Sequence, residues 1–343
     1  MDEKKPQKKR RIGRLVVYTL VFVLTFAAFT VGGYAYYLYE KGEKTAAKSY
    51  DASRDVKSSL REEKVEPLED NLSILIVGID DSTERAQGSN HARSDALMLA
   101  TLNNKHKTID LISIPRDSYT FIPSVNYATK INHAHAFGGI DSTIETVQNL
   151  LNVPVDYYVE VNFNAFIDVV NALDGITVDV PYDLHELDEH DKRTVNLKAG
   201  VQEVDGREAL ALARTRHQDS DIERGKRQQM ILEAIATKAM STSSVTKYSS
   251  LMTALGDNMT TNMSFDTMKS LFAYMQAGQP EINSLSLEGY DDMSTGIYYY
   301  KLRQDSVLAV RQKLQQQLEL PEDTEINADN SYLLDHVSND KTP

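Results

Sequence analysis

The 343-residue chain has no cysteine and no tryptophan. The missing cysteines exclude disulfides, thiolate metal sites and cysteine nucleophiles, and are compatible with an oxidising exterior. The chain also lacks a Gly-x-Ser-x-Gly elbow, a Walker loop and a Gly-x-Gly-x-x-Gly turn. Acyl hydrolases, nucleotide hydrolases and dinucleotide enzymes therefore lose support. Positive charge is in short supply, with 37 Lys and Arg against 50 Asp and Glu and a net charge of −13. Where the cations do gather is therefore informative.

They gather first at the N-terminus. Residues 1–14 hold seven basic and two acidic residues, a net +5 that leaves −18 for the rest. Leu15 to Tyr39 follows without a charged residue, and at about 1.5 Å per residue this segment exceeds the roughly 30 Å of a bilayer core. We expect a transmembrane helix over 15–39, with Tyr34, Tyr36, Tyr37 and Tyr39 at the outer interface. The basic flank places 1–14 in the cytoplasm and the remainder outside, a single-pass type II arrangement in the cell membrane. A cleaved signal peptide is the competing reading, but its apolar core would be shorter. Residues 40–70 are charged, lack hydrophobic periodicity and contain Pro67, which reads as an extracellular linker.

The other gathering points are Ile114-Pro115-Arg116-Asp117 and the stretch from Arg214 through Arg216, Asp221, Arg224 and Arg227 to Gln228. Guanidinium groups beside carboxylates can hold phosphate oxygens in bidentate pairs around a divalent cation. The competing reading is a solvated helix face with pairs such as Asp221 with Arg224, which contributes little.

The intervening pattern alternates two periods. Leu72–Gly78, Asp95–Leu102 and Thr108–Ile114 read as buried strands, as do Tyr157–Val161, Ile176–Val180 and Ile297–Leu302. Asp141–Leu151, Asn164–Leu173, Glu208–Ala213, Glu223–Met240 and Asp305–Leu318 read as helices, and Ser264–Gly278 continues the α/β pattern. This is an α/β chain. Ligands of open α/β sheets collect beyond the carboxyl ends of strands, where Asp80, Asp81 and Arg116-Asp117 fall. Arg93-Ser94-Asp95 enters its strand instead, so Asp95 reaches the same rim only if that strand is antiparallel and the sheet is mixed. Asp80 and Asp95 suit Mg²⁺, which takes one or two carboxylates plus substrate phosphates; turn or cap aspartates are the alternative. His133 and His135 would share a strand face and could bind a metal, or form a hydrogen-bonded loop pair.

Several motifs in order, Val77-Gly78-Ile79-Asp80, Arg93-Ser94-Asp95, Ser113-Ile114-Pro115-Arg116-Asp117, Lys130-Ile131-Asn132 with Gly138-Gly139, Leu173-Asp174-Gly175-Ile176, Asp205-Gly206 and Arg214 to Gln228, resemble the LytR-CpsA-Psr family of Gram-positive cell envelopes. The resemblance implies an external α/β/α sandwich around a mixed central sheet, preceded by one transmembrane helix. It implies transfer of a wall teichoic acid or capsular polysaccharide from undecaprenyl diphosphate onto peptidoglycan, with Mg²⁺ (or Mn²⁺) as cofactor. Carried over by position, Asp80 and Asp95 would hold the metal, and Arg93, Arg116, Lys130, Arg214, Arg216, Arg224, Arg227 and Gln228 the diphosphate. Asp95, Arg116, Arg214 and Arg224 would be catalytic. Residues 71–245 would form the catalytic domain, 246–326 an α/β portion packed on it or continuing it, and 327–343 a flexible tail. Asp174 departs from the family pattern, which usually has a second glycine there. A diphosphate hydrolase and a non-catalytic envelope regulator are the rival functions. Nucleic acid is not expected as a partner, because the external part is acidic.

Overall fold

The structure is a computed structural model that describes residues 36, 37, 39–54, 57–79, 93–188, 192–215, 221–240, 259–276 and 280–322. Its core is a six-stranded mixed sheet in the order β11-β6-β1-β2-β3-β12. The strands are β1 (Leu72–Ile79), β2 (Ser94–Asn103), β3 (Thr108–Ser113), β6 (Tyr157–Asn162), β11 (Met259–Thr261) and β12 (Glu281–Ser286). β2 is antiparallel to β1 and β3, whereas β6 and β12 are parallel to β1 and β3 respectively. The start of β2 thus lies at the carboxyl ends of β1, β3 and β6, and Asp95 stands on the ligand-binding rim, as the mixed-sheet reading requires.

Strand side chains alternate between the two faces. On one face Leu75, Val77, Leu97, Leu99 and Ile112 are sealed by α1 (His133–Leu151) and α6 (Gln304–Gln317), with Val147, Leu150, Val307 and Leu314 all fully buried. Over the other face lie α4 (Asp221–Met240) and α5 (Phe265–Gln276). A second cluster joins α2 (Phe163–Ala172) and α3 (Gly206–Arg214) to β7 (Ile176–Val180), β10 (Gly200–Val204) and the hairpin β8 (Leu184–Leu187) and β9 (Arg193–Leu197). Two more hairpin strands, β4 (Tyr119–Ile122) and β5 (Tyr127–Lys130), follow β3, and β13 (Gly289–Asp292) pairs with β14 (Tyr299–Leu302).

Two details depart from the sequence reading, and a third decides between its alternatives. Part of the 40–70 linker is docked: Val65 is buried against the sheet, and Arg61 bridges to Asp156 at 2.8 Å. Its charges conceal these contacts, because few apolar residues are used, with Ala46 and Val65 buried. The stretch 246–326 supplies both edges of the central sheet, β11 and β12, so it continues the same sheet. Finally, α1 begins at His133 rather than Asp141, with non-helical backbone at Gly138 and Gly139 (φ +62°) inside it. His133 and His135 therefore lie two apart on a helix, where side chains diverge. His135 bonds Glu160 at 2.8 Å and His133 bonds Thr129 at 3.2 Å, which leaves no shared metal face.

The proposed membrane span, save Tyr36, Tyr37 and Tyr39, lies outside the described residues, as do the cytoplasmic tail and 327–343. Among the described residues no helix is long and apolar enough to cross a membrane.

Candidate active site

Between the sheet and α2, α3, α4 and α5 is a cavity of about 910 Å³. That is at the upper end of ordinary ligand pockets, which run to about 1,000 Å³. Its floor comes from the cross-strand pairs Ile74 with Ala100, Ile76 with Met98, and Gly78 with Ala96. These are the residues that point away from the sealed core. Several are small, and that makes the space: a Cβ on Gly78 would stand 3.1 Å from the Ala96 Cβ. Phe166, Leu210, Ile231, Ile235 and Phe272 complete the apolar lining.

At the rim the character changes. Arg93, Asp95, Arg116, Lys130, Arg214, Arg224 and Gln228 all line the same cavity, although they come from five separate places in the chain. Local folding explains the convergence. Arg116 and Asp117 follow β3; an Arg116 Nη donates to Asp95 Oδ1, and Lys130 pairs with Asp117 at 2.7 Å. Asp205 caps α3 by accepting from the Glu208 N–H at 2.9 Å, while Glu208 accepts from the Asp205 N–H at 2.9 Å. That reciprocal cap sets the start of the helix whose last residue is Arg214. The Arg214 guanidinium then lies 4.7 Å from the Phe163 ring centre, a cation–π contact that orients it.

Gly225 brings in α4. A Cβ there would meet Ser113 Oγ at 2.7 Å, so glycine lets the start of α4 sit tightly against the end of β3. Arg224 and Gln228, four residues apart on one face, are thereby carried to the rim. Leu173-Asp174-Gly175 serves the back of the site: Asp174 (φ +58°) and Gly175 (φ +84°) are both left-handed. Asp is among the few non-glycine residues that adopt this region with modest cost, so its replacement of the family's usual glycine keeps the turn.

Arg227 departs from the expectation for it. It is not on the cavity wall; its Nε donates to the Leu212 carbonyl at 3.1 Å and an Nη to that of Thr215 at 2.7 Å. Three residues from Arg224 rather than four, it faces α3 and satisfies carbonyls at that helix's C-terminus. Asp80 and Arg216, together with the Asp221 side chain of the competing ion-pair reading, lie outside the described residues.

Sequence reasoning passed over Asn132 and Phe163 as site residues. Asn132 lines the rim, is 4% exposed, and among the described residues its Oδ1 has no hydrogen-bond partner. Such an atom calls for a proton donor. Its signal was adjacency to Lys130 in a shared motif. The electrostatics favour anions: burial, then Arg93 and Lys130, hold the His133 imidazole below its usual range.

Cationic groups at the mouth of an apolar chamber suit an amphiphile with an anionic head and a long hydrocarbon tail. Similarities to known proteins agree. The polyisoprenyl-teichoic acid–peptidoglycan teichoic acid transferase TagT of Bacillus subtilis is 40% identical over 316 residues, covering 91% of this chain and 97% of TagT. TagV of the same organism, named for the same activity, is 37% identical over 321 residues, covering 91% and 81%. The structure of TagT bound to LI-WTA gives a TM-score of 0.68 at 39% identity, covering 79% of this chain and 99% of that one. A structure of the LytR-CPS2A-psr family protein YwtF (TagT) with bound octaprenyl pyrophosphate lipid gives 0.64 at 37%, covering 79% and 99%. The LytR_cpsA_psr family profile matches residues 36–316, and the chain belongs to that family.

Proposed function

We propose that the chain is a polyisoprenyl-teichoic acid–peptidoglycan teichoic acid transferase, which moves an anionic glycopolymer from a polyprenyl diphosphate carrier onto peptidoglycan. The observation that carries this reading is the cavity's division into an apolar chamber and a rim of five cations and two amides around Asp95. The chamber matches a polyprenyl chain. The rim matches a diphosphate.

Phosphoryl transfer asks a protein chiefly for position and charge neutralisation. Arg116, Arg214 and Arg224 would fork the phosphate oxygens, with Arg93, Lys130 and Gln228 adding single contacts. A muramic acid hydroxyl would attack the polymer-side phosphorus in line, and the bond from that phosphorus to the bridging oxygen would break. Polyprenyl phosphate leaves with that oxygen and takes up the proton that the attacking hydroxyl gives up. Asn132 Oδ1, an acceptor that a phosphate oxygen cannot satisfy, would take the hydrogen bond of the incoming hydroxyl.

The donor set also fits Mg²⁺ or Mn²⁺. Asp95 would offer a hard carboxylate oxygen on the rim; among the described residues no group of three candidate ligands is preformed, so substrate oxygens, waters and Asp80 would complete the shell. When bound, the ion would neutralise charge on the diphosphate. The uncharged stretch 15–39 after a basic tail supports anchoring in the cell membrane with the site outside.

Lipid-linked glycopolymer incubated with the purified chain, with and without peptidoglycan, tests the reading. The expected product is muramic-acid-linked polymer plus polyprenyl phosphate, formed only with acceptor. Release of polymer by water alone would make the chain a hydrolase, and no turnover would make it a binding module. Asp95→Asn should abolish transfer and the metal dependence of donor binding while the melting temperature holds; undiminished metal-dependent binding would remove Asp95 from the metal site.

A further inference from the structure

Outside the cavity, β13, β14, β4 and β5 present a second chemistry. A parallel bridge between Ser118 and Tyr300 sets the two hairpins side by side, reinforced by the Tyr300 N–H donating to the Asp117 carbonyl at 2.9 Å. One face of this arrangement is buried, with Thr120, Ile122, Thr129, Tyr300 and Leu302. The other carries the cross-strand pairs Tyr290 with Lys301, Asp292 with Tyr299, Tyr119 with Lys130, and Phe121 with Ala128.

Three tyrosines and a phenylalanine share this face, with Tyr290 exposed and Tyr119, Phe121 and Tyr299 half-buried, and aromatics gathered at a surface usually mark a contact. These rings are held in place before any ligand arrives. Tyr119 and Tyr299 meet edge to face at 5.0 Å, and Lys301 Nζ sits 3.5 Å from the Tyr119 ring centre. Lys130 belongs to both sites: it lines the cavity and stands 5.9 Å from the Tyr299 ring. The face therefore begins where the diphosphate would be and leads away from it.

We propose that this face is the acceptor subsite, on which the glycan strand of peptidoglycan lies with its sugar rings stacked on Tyr299, Tyr290 and the neighbouring aromatics. The inference rests on the transferase reading and adds a location to it. Two observations favour the acceptor over the donor's polymer. Charge on the face is nearly balanced, because Asp117 pairs with Lys130 at 2.7 Å and Asp292 with Lys301 at 3.9 Å. A polyphosphate would need surplus cations, whereas a glycan strand needs apolar ring faces and scattered polar groups. The second is extent: three gaps between four strands span about 14 Å, long enough for a few sugar rings in a row. Tyrosine serves this purpose well, since it offers a rigid apolar face and a hydroxyl at small entropic cost.

Calorimetry of the purified chain with peptide-free N-acetylglucosamine–N-acetylmuramic acid strands provides the test. Wild type should bind them, Tyr290→Ala and Tyr299→Ala should each weaken binding about tenfold, the scale of one aromatic contact, and Tyr299→Phe should bind normally. Polyprenyl diphosphate affinity should stay constant in all of them, which also reports an intact fold. Absence of glycan binding in wild type, equal binding by the alanine variants, or a loss that appears with soluble donor polymer instead would overturn the assignment. Transfer assays separate the two ideas: transfer with an unchanged acceptor requirement in Tyr299→Ala sinks the subsite alone, whereas glycan binding through this face without any transfer sinks the transferase reading alone.

Discussion

The two faces of the central sheet are made by the same strands and could hardly differ more. Odd-numbered residues of β1 and β2 such as Leu75, Val77, Leu97 and Leu99 are large and fully buried under α1 and α6. Their even-numbered neighbours Ile74, Ile76, Gly78, Ala96, Met98 and Ala100 line an open chamber. One face spends its side chains on packing and the other withholds them. Protein interiors are close-packed, so a void of about 910 Å³ beside a sealed core is space kept for an occupant. The comparison teaches that stability and function are sorted here by the parity of a strand position.

Substitutions on the two faces should break that symmetry most visibly. Leu99→Ala, on the sealed face, should lower unfolding free energy by about 2–5 kcal/mol. Ile76→Ala, on the chamber face and only partly buried, should cost about 1 kcal/mol. Denaturant titration of both would measure the gap, and equal costs would erase the distinction.

The rim sharpens it. If Arg116 and Arg214 grip phosphate oxygens bidentately, lysine cannot reproduce the fork. Losing one charge-assisted contact of about 1.5–3 kcal/mol should slow transfer roughly 10- to 150-fold for each Arg→Lys change. Melting temperature should barely move. Arg227→Lys offers the contrast on α4, because its guanidinium holds the Leu212 and Thr215 carbonyls at the end of α3; it should lower stability first and transfer only as a consequence. Wild-type transfer rates in the first two variants would return the Arg-rich stretch to surface ion pairing.

Much of this was legible beforehand, for identifiable reasons. Long apolar strands announce themselves by composition, and placing Asp95 at the start of its strand on the shared rim implies a mixed sheet. The Arg214–Gln228 stretch was visible because cations are scarce elsewhere. Short polar strands were not visible: β12 reads Glu-Ile-Asn-Ser-Leu-Ser, and its pairing with β3 supplies what its sequence does not. The clamp was overdrawn at Arg227, since a list of arginines carries no phase, and only the helix shows that Arg224 and Gln228 share a face that Arg227 leaves. His133 and His135 were misjudged for the same reason, a strand period applied to the first turn of a helix.

A smaller effect follows from His133, whose pKa in the folded chain lies below the usual value, chiefly through burial and then through Arg93 and Lys130. The unfolded chain takes up this proton near pH 6.5 while the folded chain still resists it. Its contribution is thus complete above pH 6.5 and is lost as pH falls from there toward the depressed folded value. Stability measured between pH 7.5 and 5 should decline less steeply in His133→Asn than in wild type, and parallel curves would show that the His133 pKa is not depressed in the folded chain.

Filling the chamber tests the central claim most directly. Ala100 faces Ile74 across the floor, so Ala100→Leu places a larger side chain in the space assigned to the polyprenyl tail and leaves the cationic rim untouched. Affinity for polyprenyl diphosphates of increasing length, measured for wild type and this variant, should rise with each added isoprene unit in wild type. In the variant that rise should stop early, with at least a tenfold loss for the longest chains and a melting temperature equal to or above wild type. Affinity that ignores chain length, or that rises equally in both proteins, would contradict the account.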